Sequence, residues 1–256
     1  MSALEQLITM MAELRDPNHG CEWDRRQTLQ SLARYCIEEA YEVESAAVQQ
    51  DWAQLKSELG DLWFQVIFFS QLASEQGQFD LYDVAETLHQ KLVRRHPHVW
   101  PDGSRASFGQ SSSASPEQIR GQWERIKQAE REAQGQAGVL ADVPLQLPAL
   151  ERAQKLQSRA AQVGFDWPDS TGVRAKLDEE LVEFDEAQTP EHRAEELGDV
   201  LFTLVNLARK EGWDAASLLR DANRKFETRF EAMEARGPIK DLTLEAWEAR
   251  WQAIKR

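Results

Sequence analysis

Two acidic signatures occur twice in this chain, in the same order, and that duplication constrains what the chain can fold into. Glu38-Glu39-x-x-Glu42 recurs 141 positions later as Glu179-Glu180-x-x-Glu183. Glu58-Leu-Gly-Asp61 recurs 138 positions later as Glu196-Leu-Gly-Asp199. Lys91-x-x-x-Arg95 recurs as Lys225-x-x-x-Arg229, and Trp123-x-x-Ile-Lys127 as Trp251-x-x-Ile-Lys255. Asp24 after an aromatic residue recurs as Asp166 after Phe165. An order that is kept while the offset slowly shrinks points to a duplicated domain with shortened loops.

The repeated unit is helical. In the stretch 55–73, Leu55, Leu59, Leu62, Val66, Phe69 and Ala73 follow one another at steps of four and three, which predicts the apolar seam of a bundle helix. Leu4, Leu7, Ile8, Met11 and Leu14 have the same spacing, and Asp16-Pro17-Asn18-His19-Gly20 ends that helix. The segment Cys21–Asp24 reads as a loop. Thr28 is placed to cap a helix over 29–49, Asp51 the next, and Asp80 a helix over 81–95. Residues 101–116, rich in Ser and Gly, read as a mobile loop before a helix over 117–132. Further helices are expected over 149–162, 172–187, 191–211, 215–235 and 243–255, with Thr189-Pro190 marking one start. Almost nothing alternates with period two. The expectation is an all-α protein with a domain over 1–132, a linker over 133–148 containing Gly135 and Gly138, and a second domain over 149–256.

Charge narrows the function. The chain has 44 acidic against 30 basic residues, a formal net charge of −14, so it is poorly suited to gripping a nucleic acid polymer by its phosphates. It has no basic tail for an anionic membrane and no apolar run long enough to span one. Two cysteines and the absence of a visible signal peptide fit a cytoplasmic protein.

Glu179, Glu180 and Glu183 fall within an arc of about 100° on one helix, and Glu196 and Asp199 within about 60° on the next. If the two helices pack antiparallel, their carboxylates converge, and without a cation they would repel and resist ionisation. Oxygen ligands without cysteine or histidine suit Mg²⁺, or Mn²⁺, rather than zinc. A single Glu-rich face is usually solvated; its duplication beside an apolar helix favours a metal site. Lys225 and Arg229, four apart, share a face suited to holding phosphate, as do Lys91 and Arg95. Trp123 and Trp251 read first as packing residues and second as a surface for a base.

The motifs Glu-Glu-x-x-Glu (38–42 and 179–183), Glu-Leu-Gly-Asp (58–61 and 196–199), Lys-Leu-Val-Arg-Arg-His-Pro-His-Val (91–99) and Gly-Phe-Asp-Trp (164–167) together resemble the MazG nucleoside triphosphate pyrophosphohydrolases. The resemblance covers nearly the whole chain as two repeats. It implies tandem helical domains whose bundles are completed in a homodimer, and Mg²⁺-dependent hydrolysis of nucleoside triphosphates to monophosphate and diphosphate. It implies metal ligation by Glu180, Glu183, Glu196 and Asp199, with Glu39, Glu42, Glu58 and Asp61 matching in the first repeat. It also implies nucleotide contacts from Lys176, Glu179, Glu195, Lys225, Arg229 and Trp251. The family's lysine before the second acid pair has no clear counterpart; His192 or Arg193 stands near its place.

The repeats differ in charge. Lys176 corresponds to Tyr35, and Arg193 to Leu55, so the second repeat is expected to be the more active. Glu179 is the candidate proton acceptor for the attacking water. A bundle that binds Mg²⁺ and nucleotide without turnover, as a sensor or partner-binding module, is the alternative reading of the same acids. The apolar stretch 59–73 would leave a large exposed patch on a lone chain, which predicts at least a dimer.

Overall fold

The computed structural model describes residues 2–110, 115–133, 135, 138–141, 143–237, 240 and 242–254. Among these residues it contains eleven α-helices and one 3-10 turn, with no strand. The chain divides into two compact units, Met1–Ile126 and Lys127–Arg256. Lys255, the linker positions 134, 136, 137 and 142, and 111–114 of the Ser-rich stretch lie outside the described residues.

In the first unit, α1 (Ala3–Leu14), α3 (Leu29–Gln49), α4 (Trp52–Glu75) and α5 (Leu81–Arg95) carry the fold. Each starts at a side-chain cap. Ser2 and Glu5, Thr28 and Ser31, and Asp80 and Asp83 form reciprocal capping boxes. The Asp51 carboxylate accepts from the backbone N–H of Ala53 and Gln54. Between α3 and α4 the chain reverses through Gln50, whose φ of 57° is the left-handed C-cap conformation. So short a turn lays α3 and α4 antiparallel along each other, and this is the main packing contact of the unit.

Two expectations change here. The segment after Cys21 is a short helix, α2 (Glu22–Arg26), rather than a loop. Its acids stand at the N-terminal end and its arginines at the C-terminal end, which suits the helix dipole. Arg15 binds the Asp24 carbonyl and pairs with Glu75 at 2.6 Å, tying α1, α2 and α4 together. The buried face of α4 also differs from the expected seam. Ile67, Phe68, Leu72 and Ala73 are buried, Leu55, Leu62 and Phe69 are half-buried, and Leu59 and Val66 are exposed. From Leu62 to Phe69 the helix is apolar at every position but Gln65, so its period there does not decide which side faces Met11 and Leu32 of the core.

Past α5, residues 101–110 form turns around the 3-10 segment Arg105–Ser107, followed by α6 (Pro116–Ala133). In the second unit, α7 (Ala149–Gln162) and α8 (Ser170–Glu186) both pack against α9 (Pro190–Lys210). Thr189 caps α9 with Pro190 in the first turn. Then α10 (Ala215–Glu234) packs mainly on α11 (Leu244–Ile254) and α7. No described helix is long and apolar enough to cross a membrane.

The loop Gly164–Trp167 is clasped to the C-terminal turn of α9. Gly164, with φ of 88°, allows the sharp exit from α7. Asp166 pairs with Arg209 at 2.5 Å and with Lys210 at 3.2 Å, and Lys210 also donates to the Trp167 carbonyl. Gly172 makes room for the indole: a β-carbon there would meet Trp167 at 2.2 Å. The hydrogen bonds from Arg209 hold the Asp166 carboxyl below its ordinary range, outweighing the effect of burial. A lowered pKa gives stability that is present above the unfolded value of roughly 4 and is lost as pH falls through the folded value. Asp166→Asn should therefore melt below the native chain at pH 7. The gap should close as pH falls through the folded value, as read by thermal melts across the acid range.

Candidate functional site

Because α8 and α9 are joined by the three residues 187–189, the acids of the two helices face each other at the same level. Glu180, Glu183 and Glu196 bring carboxylate oxygens within 4.8 Å of one another. Glu180 is only 5% exposed, so its charge must be answered by a neighbour. Lys176 answers it, with Nζ 2.8 Å from Glu180 and 2.7 Å from Glu179. Those two hydrogen bonds raise the lysine's pKa. Burial raises the Glu183 carboxyl; Lys176 pulls it back, while Glu180 and Glu196 push it further up. His192 Nε2 sits 2.9 Å from Glu196. Arg193 lies over the Phe184 ring at 4.5 Å.

The first unit repeats the construction between α3 and α4. Glu39, Glu58 and Asp61 gather within 4.8 Å. Burial raises the Glu39 carboxyl, and so do the charges of Glu42, Asp61 and Glu58. Burial also raises Glu42, followed by the charge of Glu58 and a hydrogen bond with it. In place of Lys176 stands Tyr35, whose hydroxyl accepts from Arg34 and whose ring meets Trp23 edge-on.

The two trios differ in membership. Asp199 lies outside the second trio, whereas its counterpart Asp61 belongs to the first; Glu42 lies outside the first, whereas Glu183 belongs to the second. Asp199 instead joins Glu180 and Lys176 on the wall of a cavity of about 370 Å³. The rest of that wall is largely apolar and aromatic, with Phe165, Trp167 and Phe202, and it also carries Gln157, Thr203 and Asn206. Donors of this kind, carboxylates without thiol or imidazole in either trio, fit a hard divalent cation, which would relieve the repulsion that adds to burial in raising Glu183 and Glu39.

Several expected nucleotide contacts stand apart from this wall. Glu179 is held by Lys176 outside the trio, and Glu195 is exposed. Lys225, Arg229 and Trp251 are absent from the described cavity wall. Trp251 packs on Phe226 with ring centroids 5.5 Å apart, and the Arg229 guanidinium lies 6.0 Å from the Trp251 ring. The reason is the seat of α10, which packs mainly on α7 and α11 and only marginally on α9. Trp123 likewise packs, with His96 4.9 Å and Arg95 5.6 Å from its ring. Sequence reasoning missed Gln157, Thr203 and Asn206. Each is a single polar residue within an amphipathic helix, and nothing in its spacing sets it apart. For the Gly164–Trp167 loop the signal was present as a motif, without a structural role.

Comparison with known proteins agrees with this architecture. The MazG nucleotide pyrophosphohydrolase domain matches residues 27–100, within the first unit. A nucleoside triphosphate pyrophosphohydrolase of Escherichia coli (strain K12) is 43% identical over 266 residues, spanning 100% of this chain and 98% of that protein. The nucleoside triphosphate pyrophosphohydrolase/pyrophosphatase MazG of Thermotoga maritima is 41% identical over 98% of this chain and 95% of its own length. The uncharacterized protein YabN of Bacillus subtilis is 38% identical over 96% of this chain, which matches 50% of YabN. A duplicated helical unit, paired acidic trios and full-length similarity at this level place the chain in the MazG family of nucleoside triphosphate pyrophosphohydrolases.

Proposed function

We propose that the chain hydrolyses nucleoside triphosphates between the α and β phosphates, giving the monophosphate and diphosphate, at the site between α8 and α9. The observation that carries this reading is the junction of the Glu180–Glu183–Glu196 trio with a cavity of about 370 Å³, a size that suits a small ligand. Mg²⁺, or Mn²⁺ in its place, held by Glu180, Glu183, Glu196 and Asp199 would neutralise phosphate charge and lower the pKa of a bound water. Lys176 keeps its ammonium at the cavity wall, where it meets phosphate oxygens. Glu179 and Glu195 lie on the solvent side of their helices, and Glu179 is our assignment for taking the proton from the attacking water.

We assign Lys225, Arg229 and Trp251 to the nucleotide as well. Their separation from the wall within one chain is what a site completed by a second copy would produce. Exposed apolar rows support such a dimer. Leu59, Trp63 and Val66 lie exposed on α4, and Leu197, Leu201 and Leu204 on α9. Gly60 and Gly198, beside these rows, have nothing within 4 Å of a built β-carbon, leaving the backbone open to close approach. In the first unit the second cation site, at Glu39, Glu42, Glu58 and Asp61, lacks a lysine at the position of Tyr35, so we rank it the weaker.

ATP with Mg²⁺ should give AMP and diphosphate, and EDTA should stop the reaction. ADP with orthophosphate would remove the mechanism, and nucleotide binding without turnover would make the chain a sensor. Glu180→Ala should lower kcat/KM by about a hundredfold or more and Glu39→Ala by far less, in proteins matched for folding by circular dichroism. A larger loss at Glu39 would invert the ranking. Light scattering should give at least the mass of a dimer, and a monomeric mass would count against the shared site.

A further inference from the structure

We propose that the cavity beside the trio receives the nucleobase and that Gln157 reads it, its Oε1 accepting a hydrogen bond from an N–H on the edge of the base. This rests on the pyrophosphohydrolase reading for the identity of the ligand, and on three features of the second unit for its place.

Gln157 is 7% exposed, and its amide is fixed: Nε2 donates to the Phe202 carbonyl at 2.8 Å. That bond sets the orientation of the side chain and leaves Oε1 as the free prong. Oε1 is screened from water and has no hydrogen-bond partner among the described residues, a costly state for a buried acceptor. Gln157 nevertheless lines the cavity. The Phe165 ring borders the same cavity and is 81% exposed, so it is held loosely enough to yield to an incoming ring. An N–H arriving from that side gives Oε1 the donor that the protein does not.

The geometry along α9 supports the assignment. Asp199, Thr203 and Asn206 follow at steps of four and three, on one face of the helix, and all three line the cavity. Asp199 and Asn206 are about 10 Å apart along the axis. Triphosphate and metal belong at the Asp199 and Glu180 end, so a nucleoside running along α9 brings its base toward Asn206 and Gln157. Asn206 is also oriented. Its Oδ1 accepts from Arg209 Nε at 2.9 Å and Nη2 at 2.7 Å, which leaves Nδ2 as its donor. An acceptor and a donor on one wall, with Phe165 and Trp167 beside them, match a heteroaromatic edge carrying a donor next to an acceptor.

The first unit provides an internal contrast. At the offset that relates Glu58 to Glu196, the counterpart of Asn206 is Phe68, which is 0% exposed and packed among Met11, Leu32, Ile67 and Leu72. One repeat fills this place with core, and the other lines a cavity with amides.

The test compares nucleotides with and without the donor: ATP with purine riboside triphosphate, and UTP with N3-methyluridine triphosphate. Turnover is followed by diphosphate release, and binding by calorimetry with the α,β-methylene forms. The native chain should favour the donor-bearing member of at least one pair by about tenfold in kcat/KM and in binding. Gln157→Leu, or Gln157→Met if the first does not fold, should bring that ratio within about twofold without abolishing turnover of the modified nucleotide. Equal treatment of both pairs by the native chain, or full discrimination by the Gln157 variants, overturns the assignment. If no nucleotide releases diphosphate but the methylene forms still discriminate through Gln157, the base assignment stands and the hydrolytic reading falls.

Discussion

Carboxylate repulsion, confined between two antiparallel helices, is the constraint on which the rest of this structure depends. A three-residue link between α8 and α9 sets them side by side and brings their acids together. Glu180 is buried, and burial, with the charges of Glu180 and Glu196 added, raises the Glu183 carboxyl above its ordinary range. Lys176 relieves part of this strain by binding Glu179 and Glu180 together. One ammonium cannot neutralise three converging carboxylates, and a further cation held among them would relieve the remainder. Apolar packing of α9 against α7 and α8 provides the stability that lets the acids stay together.

The duplicated scaffold carries two outcomes of the same constraint. Both units gather three carboxylates within 4.8 Å at the same helical junction. The second adds a lysine at that junction and a cavity beside it whose wall includes amide side chains. In the first, Tyr35 is engaged with Arg34 and Trp23, and Phe68 closes the core. A buried phenylalanine stabilises its unit by about 3–5 kcal/mol relative to alanine, whereas a buried amide with an unanswered oxygen costs stability. The first unit keeps an unanswered amide oxygen of its own at the buried Gln65, whereas in the second the amide of Gln157 lines the cavity beside the trio, where such a feature is expected if a ligand must be met.

Much of this was legible in the sequence, for definite physical reasons. Helix starts could be read because a cap is a local event: Thr28, Asp51, Asp80 and Thr189 bind N–H groups two or three residues away. The acid trios could be seen because period and duplication are both one-dimensional. The buried side of α4 was not legible, since its stretch 62–69, apolar at every position but Gln65, gives no phase to choose between Ile67–Phe68 and Leu59–Val66. Nor was α2, five residues held in place by Arg15 from another helix. Gln157 and Asn206 are ordinary polar residues until α7 and α9 are set against each other, and only then does the oxygen of one lose its partner.

The exposed apolar rows on α4 and α9 bear on the metal site as well as on assembly. Glu58 and Asp61 flank Leu59, and Glu196 and Asp199 flank Leu197 on the same helical turn. Whatever covers Leu59 or Leu197 therefore also excludes water from the neighbouring carboxylates. A drier site lowers the local dielectric, which strengthens both the repulsion among the acids and the attraction of a cation to them. Burial of these rows against a second copy would then do more than hide hydrocarbon. It would sharpen the preference of each trio for the cation-loaded state, linking assembly to metal affinity through nothing more than the adjacency of a leucine and two acids on one turn of helix.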